Sequence, residues 1–211
     1  MKLKNSLLVF FWFLISVNAF PQIEEVRFGA KIGGNYQYDQ ELDGGRAFDG
    51  KILFHTGFTS EFIIGIKKKF SLQTELLYTA QGFSETYYHN PVYQYHQFKD
   101  QVSINYLSLP LLAKYKFNDY FSVEMGPYLS YMLYNRINWE LLKGSTAFHS
   151  DDKYYLWNKD FGLIVGVVYH LNKMINFGLR YNYGFLKIVE FTSYNTQMFQ
   201  FYIGYNQKRI K

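Results

Sequence analysis

The chain has no cysteine among its 211 residues. That excludes a disulfide framework, a thiol nucleophile and the acylated cysteine of a lipoprotein anchor. Beyond its N-terminal leader it also lacks any stretch approaching the roughly 18 consecutive apolar residues of a membrane-spanning helix, and no segment there reads as a convincing helix. Aromatic residues are plentiful instead. With 21 Tyr and 21 Phe they reach 21% of the chain, yet the mean hydropathy is only -0.20. Abundant aromatic surface without a long apolar run fits alternating strands better than helices.

The first 20 residues read MKLKNSLLVFFWFLISVNAF. Lys2 and Lys4 form a basic start, Leu7 to Val17 a short apolar core, and Val17 and Ala19 occupy the −3 and −1 sites of a signal-peptidase cut before Phe20. Residues 1–19 are therefore expected to be a signal peptide and residues 20–211 a single mature barrel domain. Export beyond the inner membrane makes nucleic acid an unsuitable partner for the net charge of +5. The basic balance then concerns anionic lipid head groups or simple solubility.

The stretch MINFGLRYNYGFLKI (174–188) shows the pattern that recurs along the chain. Ile175, Phe177, Leu179, Tyr181, Tyr183 and Phe185 fall on one face of a strand; Asn176, Gly178, Arg180, Asn182 and Gly184 fall on the other. Eight such segments are expected, near 26–38, 52–66, 70–84, 101–116, 120–134, 160–171, 174–188 and 196–206. At 11 to 16 residues they exceed the usual soluble strand of about 5–6 and cover the roughly 9–11 tilted residues that a bilayer demands.

The connections carry more information than the strands. Lys67-Lys68-Lys69, Asn118-Asp119 and Asn172-Lys173 are tight, whereas 39–51 (with Asp43-Gly44-Gly45 as turn chemistry), 85–100 and 135–159 are long. Tight and longer connections alternate strictly, so in an up-and-down meander all tight turns lie at one end. Outer-membrane barrels have this arrangement, with short periplasmic turns and long external loops. The expected fold is all-β: an eight-stranded antiparallel up-and-down transmembrane β-barrel in the bacterial outer membrane, closed because no strand edge can stay unpaired in hydrocarbon. Its aromatic face meets lipid and lipopolysaccharide, with Tyr120, Tyr131, Tyr134, Trp139, Trp157, Tyr169 and Tyr205 as interfacial girdles. A soluble lipocalin-like barrel, with the apolar face turned inward, is the competing reading.

The same parity sends Arg27, Lys31, Glu61, Glu75, Lys114, Glu124, Asp160 and Arg180 inward. Charges of both signs in a narrow lumen are expected to pair, since an unpaired buried charge is costly. An eight-stranded interior is just wide enough for side chains to fill. A structural charge network in a plugged core is therefore expected ahead of a conduction path.

Several blocks resemble the PorT-like porin family, outer-membrane β-barrel proteins of Bacteroidota-type bacteria. They are FGAKIGGNY (28–36), YLSLPLLAKYKF (106–117), MGPYLSYML (125–133), DFGLIVGVVYHL (160–171) and GLRYNYGFLKI (178–188). YLSLP followed by GPYLSYML is the most specific pair, and the resemblance spans the mature chain. It implies an eight-stranded outer-membrane barrel and supplies no catalytic motif to carry over. The namesake's part in a protein-secretion system has no matching residues on which to transfer. The chain departs from many such barrels by running past Tyr205 as Asn206 to Lys211, without a terminal aromatic.

Few residues are arranged for chemistry. FHSDDKYY places His149, Ser150, Asp151 and Asp152 side by side, but contiguity does not supply the geometry of a catalytic relay, and a solvated external loop is the simpler reading. His89 and His96 could meet across a loop, without a third ligand to make a metal site. His170 lies beside a tight turn on the inward face as a structural residue. Gly29, Gly33 and Gly34 precede no helix, so they form no phosphate loop; a bend or an aromatic ring from the next strand explains them. No catalytic, cofactor-binding or metal-binding residue is assigned. The expected protein is a non-enzymatic barrel with a structural, loop-binding or envelope-assembly role, its external loops suited to protein or glycan contact. A small-solute channel and a lipid A-modifying enzyme are the alternatives.

Overall fold

The computed structural model describes residues 23–37, 40–42, 46–89, 96–143, 158–187 and 195–209. They form ten strands: β1 (Ile23–Gln37), β2 (Gln40–Leu42), β3 (Arg46–Gly50), β4 (Ile52–Ile64), β5 (Phe70–His89), β6 (His96–Lys116), β7 (Phe121–Lys143), β8 (Lys159–His170), β9 (Ile175–Lys187) and β10 (Asn195–Arg209). Eight of these run β5-β4-β1-β10-β9-β8-β7-β6, and β5 pairs with β6 to close the ring. Every pairing is antiparallel, and β1 meets β10 over an unbroken register from Val26↔Arg209 to Gln37↔Met198. The closed barrel leaves the hydrocarbon-depth backbone no open edge.

Its polarity is inverted relative to a soluble protein. On β8 the burial alternates without a break from Lys159 to Tyr169: Phe161, Leu163, Val165, Val167 and Tyr169 lie outside, while Asp160, Ile164 and Val168 lie inside. On β9, Leu179 is 53% exposed and its neighbour Arg180 is 1% exposed. Aliphatic and aromatic side chains cover the outer wall while Lys, Glu, Gln and Asn fill the inside. That arrangement is stable only where the surrounding solvent is hydrocarbon, and it eliminates the lipocalin-like alternative. The shortest spanning strand, β8, has 12 residues. At about 3.3 Å per residue and a tilt near 40° it reaches roughly 30 Å, the thickness of a bilayer core.

Rings gather at both rims. Tyr115 lies 4.9 Å from Phe70 and 5.0 Å from Phe117 at the turn end, where Phe121 also meets Tyr169 at 5.3 Å. At the loop end Phe161 and Tyr183 both approach Phe185. Tyr120, Tyr131, Tyr134, Tyr169 and Tyr205 all face outward, as girdle residues should. The side chains of Trp139 and Trp157 lie outside the described residues. Gly34 accepts the Phe201 ring from β10: a Cβ there would sit 2.4 Å from it, so the glycine serves as an aromatic seat on the outer wall.

The tight turns are built as their sequences imply. Asn118 Oδ1 accepts the Tyr120 and Phe121 amides, both at 2.9 Å. Asn172 Oδ1 accepts those of Met174 and Ile175 at 2.8 and 2.7 Å. The lysine turn is longer than its three lysines, because β4 stops at Ile64 and Gly65 takes a left-handed φ of 74°.

Two expectations about the long connections need correction. Segment 85–100 is mostly ladder: β5 runs to His89, β6 starts at His96, and these two histidines are register partners at the head of the hairpin. Likewise β7 continues to Lys143. The first long connection holds the small hairpin β2–β3, which is added to the outer part of β5 through Phe48↔Glu85. Asp43-Gly44-Gly45, between β2 and β3 in the sequence, lies outside the described residues. So do residues 1–22 with the expected leader, and His149 to Asp152.

Candidate functional site

The interior is divided across its middle by a ring of four charges. Lys31 comes from β1, Glu75 from β5, Glu124 from β7 and Arg180 from β9. These are alternate strands of the barrel, so the four side chains converge from four quarters of the wall, and Glu75 and Arg180 start on opposite sides. Arg180 Nη1 and Nη2 each donate to a different oxygen of Glu75 at 2.8 Å, while its Nε donates to Glu124 Oε1. Lys31 Nζ donates to Glu75 Oε1 at 2.6 Å. Two cations and two carboxylates balance, and all four are at most 4% exposed. Such a bidentate, charge-neutral arrangement offsets the desolvation that isolated charges would suffer.

Two neighbours make the ring possible. Glu124, Gly166 and Arg180 are register partners in a row across β7, β8 and β9. With no side chain at Gly166, Arg180 passes over β8 to reach Glu124; a Cβ there would lie 2.8 Å from Arg180 Cγ and 3.2 Å from Glu124 Oε1. Tyr202 on β10 stands between the strands of the two cations. Its ring lies 3.8 Å from Lys31 Nζ and 4.7 Å from Arg180 Cζ, and its hydroxyl donates to Glu124 at 3.0 Å. The ring face is attractive to both cations and separates them.

The other inward charges take different places. Lys114 lies 3.4 Å from Glu61 nearer the turns and also donates to Gln73 at 2.9 Å. Gln73 in turn donates to Glu75, so this pair is tied to the central ring. Arg27 pairs with Glu25 at 2.7 Å at the turn-end rim. Asp160 joins no cation among the described residues: its Oδ2 accepts hydroxyls from Tyr128 and Thr196, both at 2.8 Å, near the loop end. Two neutral hydroxyls do the work that a cation was expected to do.

Parity reasoning left out several interior partners. Glu25 shares the inward phase of Arg27. Tyr202 faces inward by the alternation of β10, although its ring resembles the lipid-facing set. His55 is completely buried, and its Nδ1 lies 2.6 Å from Asn35 Oδ1. Because the Asn35 amide already donates to the Phe54 and Ala80 carbonyls, that oxygen accepts and His55 Nδ1 carries the proton. His170 faces inward beside a turn, its Nε2 2.9 Å from Ser122 Oγ.

Above the ring, among the described residues, the side chains pack closely, with Leu77, Tyr128, Ile164 and Met198 all buried. A void of about 10 Å³ among Leu77, Thr79, Ser108, Ile164, Asn182 and Met198 holds at most a single water. Below the ring the interior opens toward the tight turns. No group of three or more potential metal ligands occurs among the described residues.

The family model described as outer membrane protein beta-barrel domain matches residues 18–190. Solved structures with a similar fold include Ail, the attachment invasion locus protein of Yersinia pestis, at 10% identity and TM-score 0.48, covering 87% of this chain and 99% of that one. OprG from Pseudomonas aeruginosa is similar at 14% identity and TM-score 0.44, covering 89% and 98%. Neisserial surface protein A is similar at 18% identity and TM-score 0.42, covering 87% and 97%. No curated protein matches the chain in sequence.

Proposed function

This chain belongs to the outer membrane protein β-barrel domain family, and from that premise we propose that it acts as a sealed, non-enzymatic barrel. It resides in the bacterial outer membrane. Within the family the blocks YLSLP and GPYLSYML favour a PorT-like porin. The role proposed is to hold external loops for protein or glycan contact, or to serve envelope assembly.

The observation that carries this reading is the central ring. A hydrated ion entering the lumen meets Arg180 clamped on Glu75 and Glu124, with Lys31 and Tyr202 filling the remaining sector. Opening a passage would require breaking several charge-assisted hydrogen bonds at once in a low-dielectric interior. Planar-bilayer recording tests it. Purified barrel is expected to insert without steady conductance, and the Glu75→Ala variant to leak. Steady conductance by the unaltered protein would replace this reading with the small-solute channel. Expression is also expected to leave lipid A mass unchanged; a mass change abolished by His149→Ala would establish the enzyme alternative instead.

A further inference from the structure

We propose that the space beneath the charge ring is a binding site for a phosphate-bearing ligand on the periplasmic side. A cavity of about 510 Å³ lies there, walled by the barrel interior and all three tight turns. That volume falls within the range of small-molecule sites. It goes beyond the sealed-scaffold reading, because it concerns the opposite end of the barrel from the external loops.

The cavity lining is strongly basic. The turns contribute Lys67, Lys68, Lys69 and Lys173, and the wall adds Arg27, Lys114 and Lys116, against only Glu61 and Asp119 among the lining acids. Nearby carboxylates account for some of these cations. Glu61 takes Lys114, Asp119 takes Lys116 at 2.8 Å, and Glu25 takes both Arg27 and Lys68. Lys67, Lys69 and Lys173 have no carboxylate within ion-pair distance among the described residues. Lys173 still feels the Asp119 charge, and Lys67 and Lys69 also border an outer groove beside Glu24, but the cavity lining as a whole carries seven cations against two carboxylates, which concentrates a positive field inside it.

The polar groups between the lysines point the same way. Asn118 and Asn172 line the cavity, and each has its Oδ1 engaged by two backbone amides of its own turn. What each has left to offer is an NH₂ donor. These two amides add donors to the lysine ammonium groups around the mouth, as an anion requires.

The number of lysines favours an anion of high charge density. Ammonium groups on flexible stems act as point charges, and several of them together favour a compact, multiply charged group that they can surround from several directions. A phosphate or pyrophosphate group meets this geometry, whether it belongs to a periplasmic solute or to a phospholipid head group at the inner leaflet.

The test uses the mature full-length barrel in a neutral maltoside, titrated with inorganic pyrophosphate by calorimetry at moderate salt. Saturable one-to-one binding is expected, weakened about tenfold or more when Lys67 and Lys69 are both changed to Gln, as loss of two charge-assisted contacts implies. Lys51→Gln, at the loop end where Lys51 donates to Ser103, is expected to bind like the unaltered protein. Lys173→Gln, in a different turn, repeats the measurement if the double variant does not fold. Short-chain phosphatidylglycerol separates the sources. Displacement of pyrophosphate by this lipid identifies a head-group site, and indifference to it identifies a soluble phosphate-bearing ligand. Absence of saturable binding, or binding unchanged in both variants, overturns the proposal.

Discussion

The Arg180 guanidinium and the Glu75 carboxylate face each other fork to fork, with two donor–acceptor distances of 2.8 Å, although 105 residues separate them in the chain. They project from β9 and β5, opposite strands of the ring. The contact therefore spans the barrel and joins its two halves at mid-height. Arg180 is fully buried and also holds Glu124, so one side chain neutralises two carboxylates whose remaining cation is Lys31.

Arg180→Met is accordingly expected to be far worse than its size suggests. It leaves Glu75 and Glu124 to share Lys31 in a dry interior, at a cost of about 3–5 kcal/mol. Arg180→Met combined with Glu124→Met leaves the neutral Lys31–Glu75 pair intact and is expected to cost less than Arg180→Met alone. Urea midpoints of the refolded variants measure both. A double variant as unstable as the sum of the singles would mean the ring is not a coupled unit.

Gly166 gives a second route to the same ring. Gly166→Val inserts a side chain where Arg180 crosses toward Glu124, and overfilling of this kind costs about 1–3 kcal/mol. The same substitution in a Glu124→Gln background is expected to cost less, because the strong charge-assisted contact it would disrupt is already weakened. Equal costs in the two backgrounds would locate the damage in the β8 backbone and not in the ion pair.

Much of this architecture was legible in the residues, for a physical reason. Hydrocarbon outside and a polar lumen inside force a period of two along every spanning strand, so β8 and β9 and their inward Asp160 and Arg180 follow from parity alone. Where that constraint ends, the signal ends with it. Residues 85–89, 96–100 and 135–143 stay in the ladder beyond the segments whose alternation marked the membrane span. They lose the regular alternation and resemble loops. The three-residue β2 is too short to show any period. Parity also states which side chains enter the lumen without stating who meets whom. That depends on register and shear, and hence Arg180 was recognised as interior while its clamp on Glu75 was not. Asp160 shows the converse: its need for partners was evident, but the Tyr128 and Thr196 hydroxyls that satisfy it come from strands whose offset the sequence does not encode locally.

The lipid face can be tested by depth. From the sequence alone, Leu179→Arg paired with Asn182→Arg looks like a clean contrast of lipid against a wet interior, with the second variant the milder. The structure removes that contrast. Asn182 is 4% exposed and borders a void of only about 10 Å³, so an arginine there would overfill a packed lumen and be costly in its own right. The informative comparison keeps to the outer wall. Leu179 and Leu171 are each 53% exposed, but Leu179 lies within β9 whereas Leu171 belongs to the turn before it. An arginine near the bilayer midplane costs about 2–4 kcal/mol, and one near the interface about 0–1. Leu179→Arg is therefore expected to lower the yield of the heat-modifiable, SDS-resistant form sharply, and Leu171→Arg to leave it nearly intact, since its guanidinium reaches the head groups. Equal loss in the two variants would mean that the apolar band does not follow the strand-to-turn boundary. Equal tolerance would mean that the β9 outer face is not in hydrocarbon.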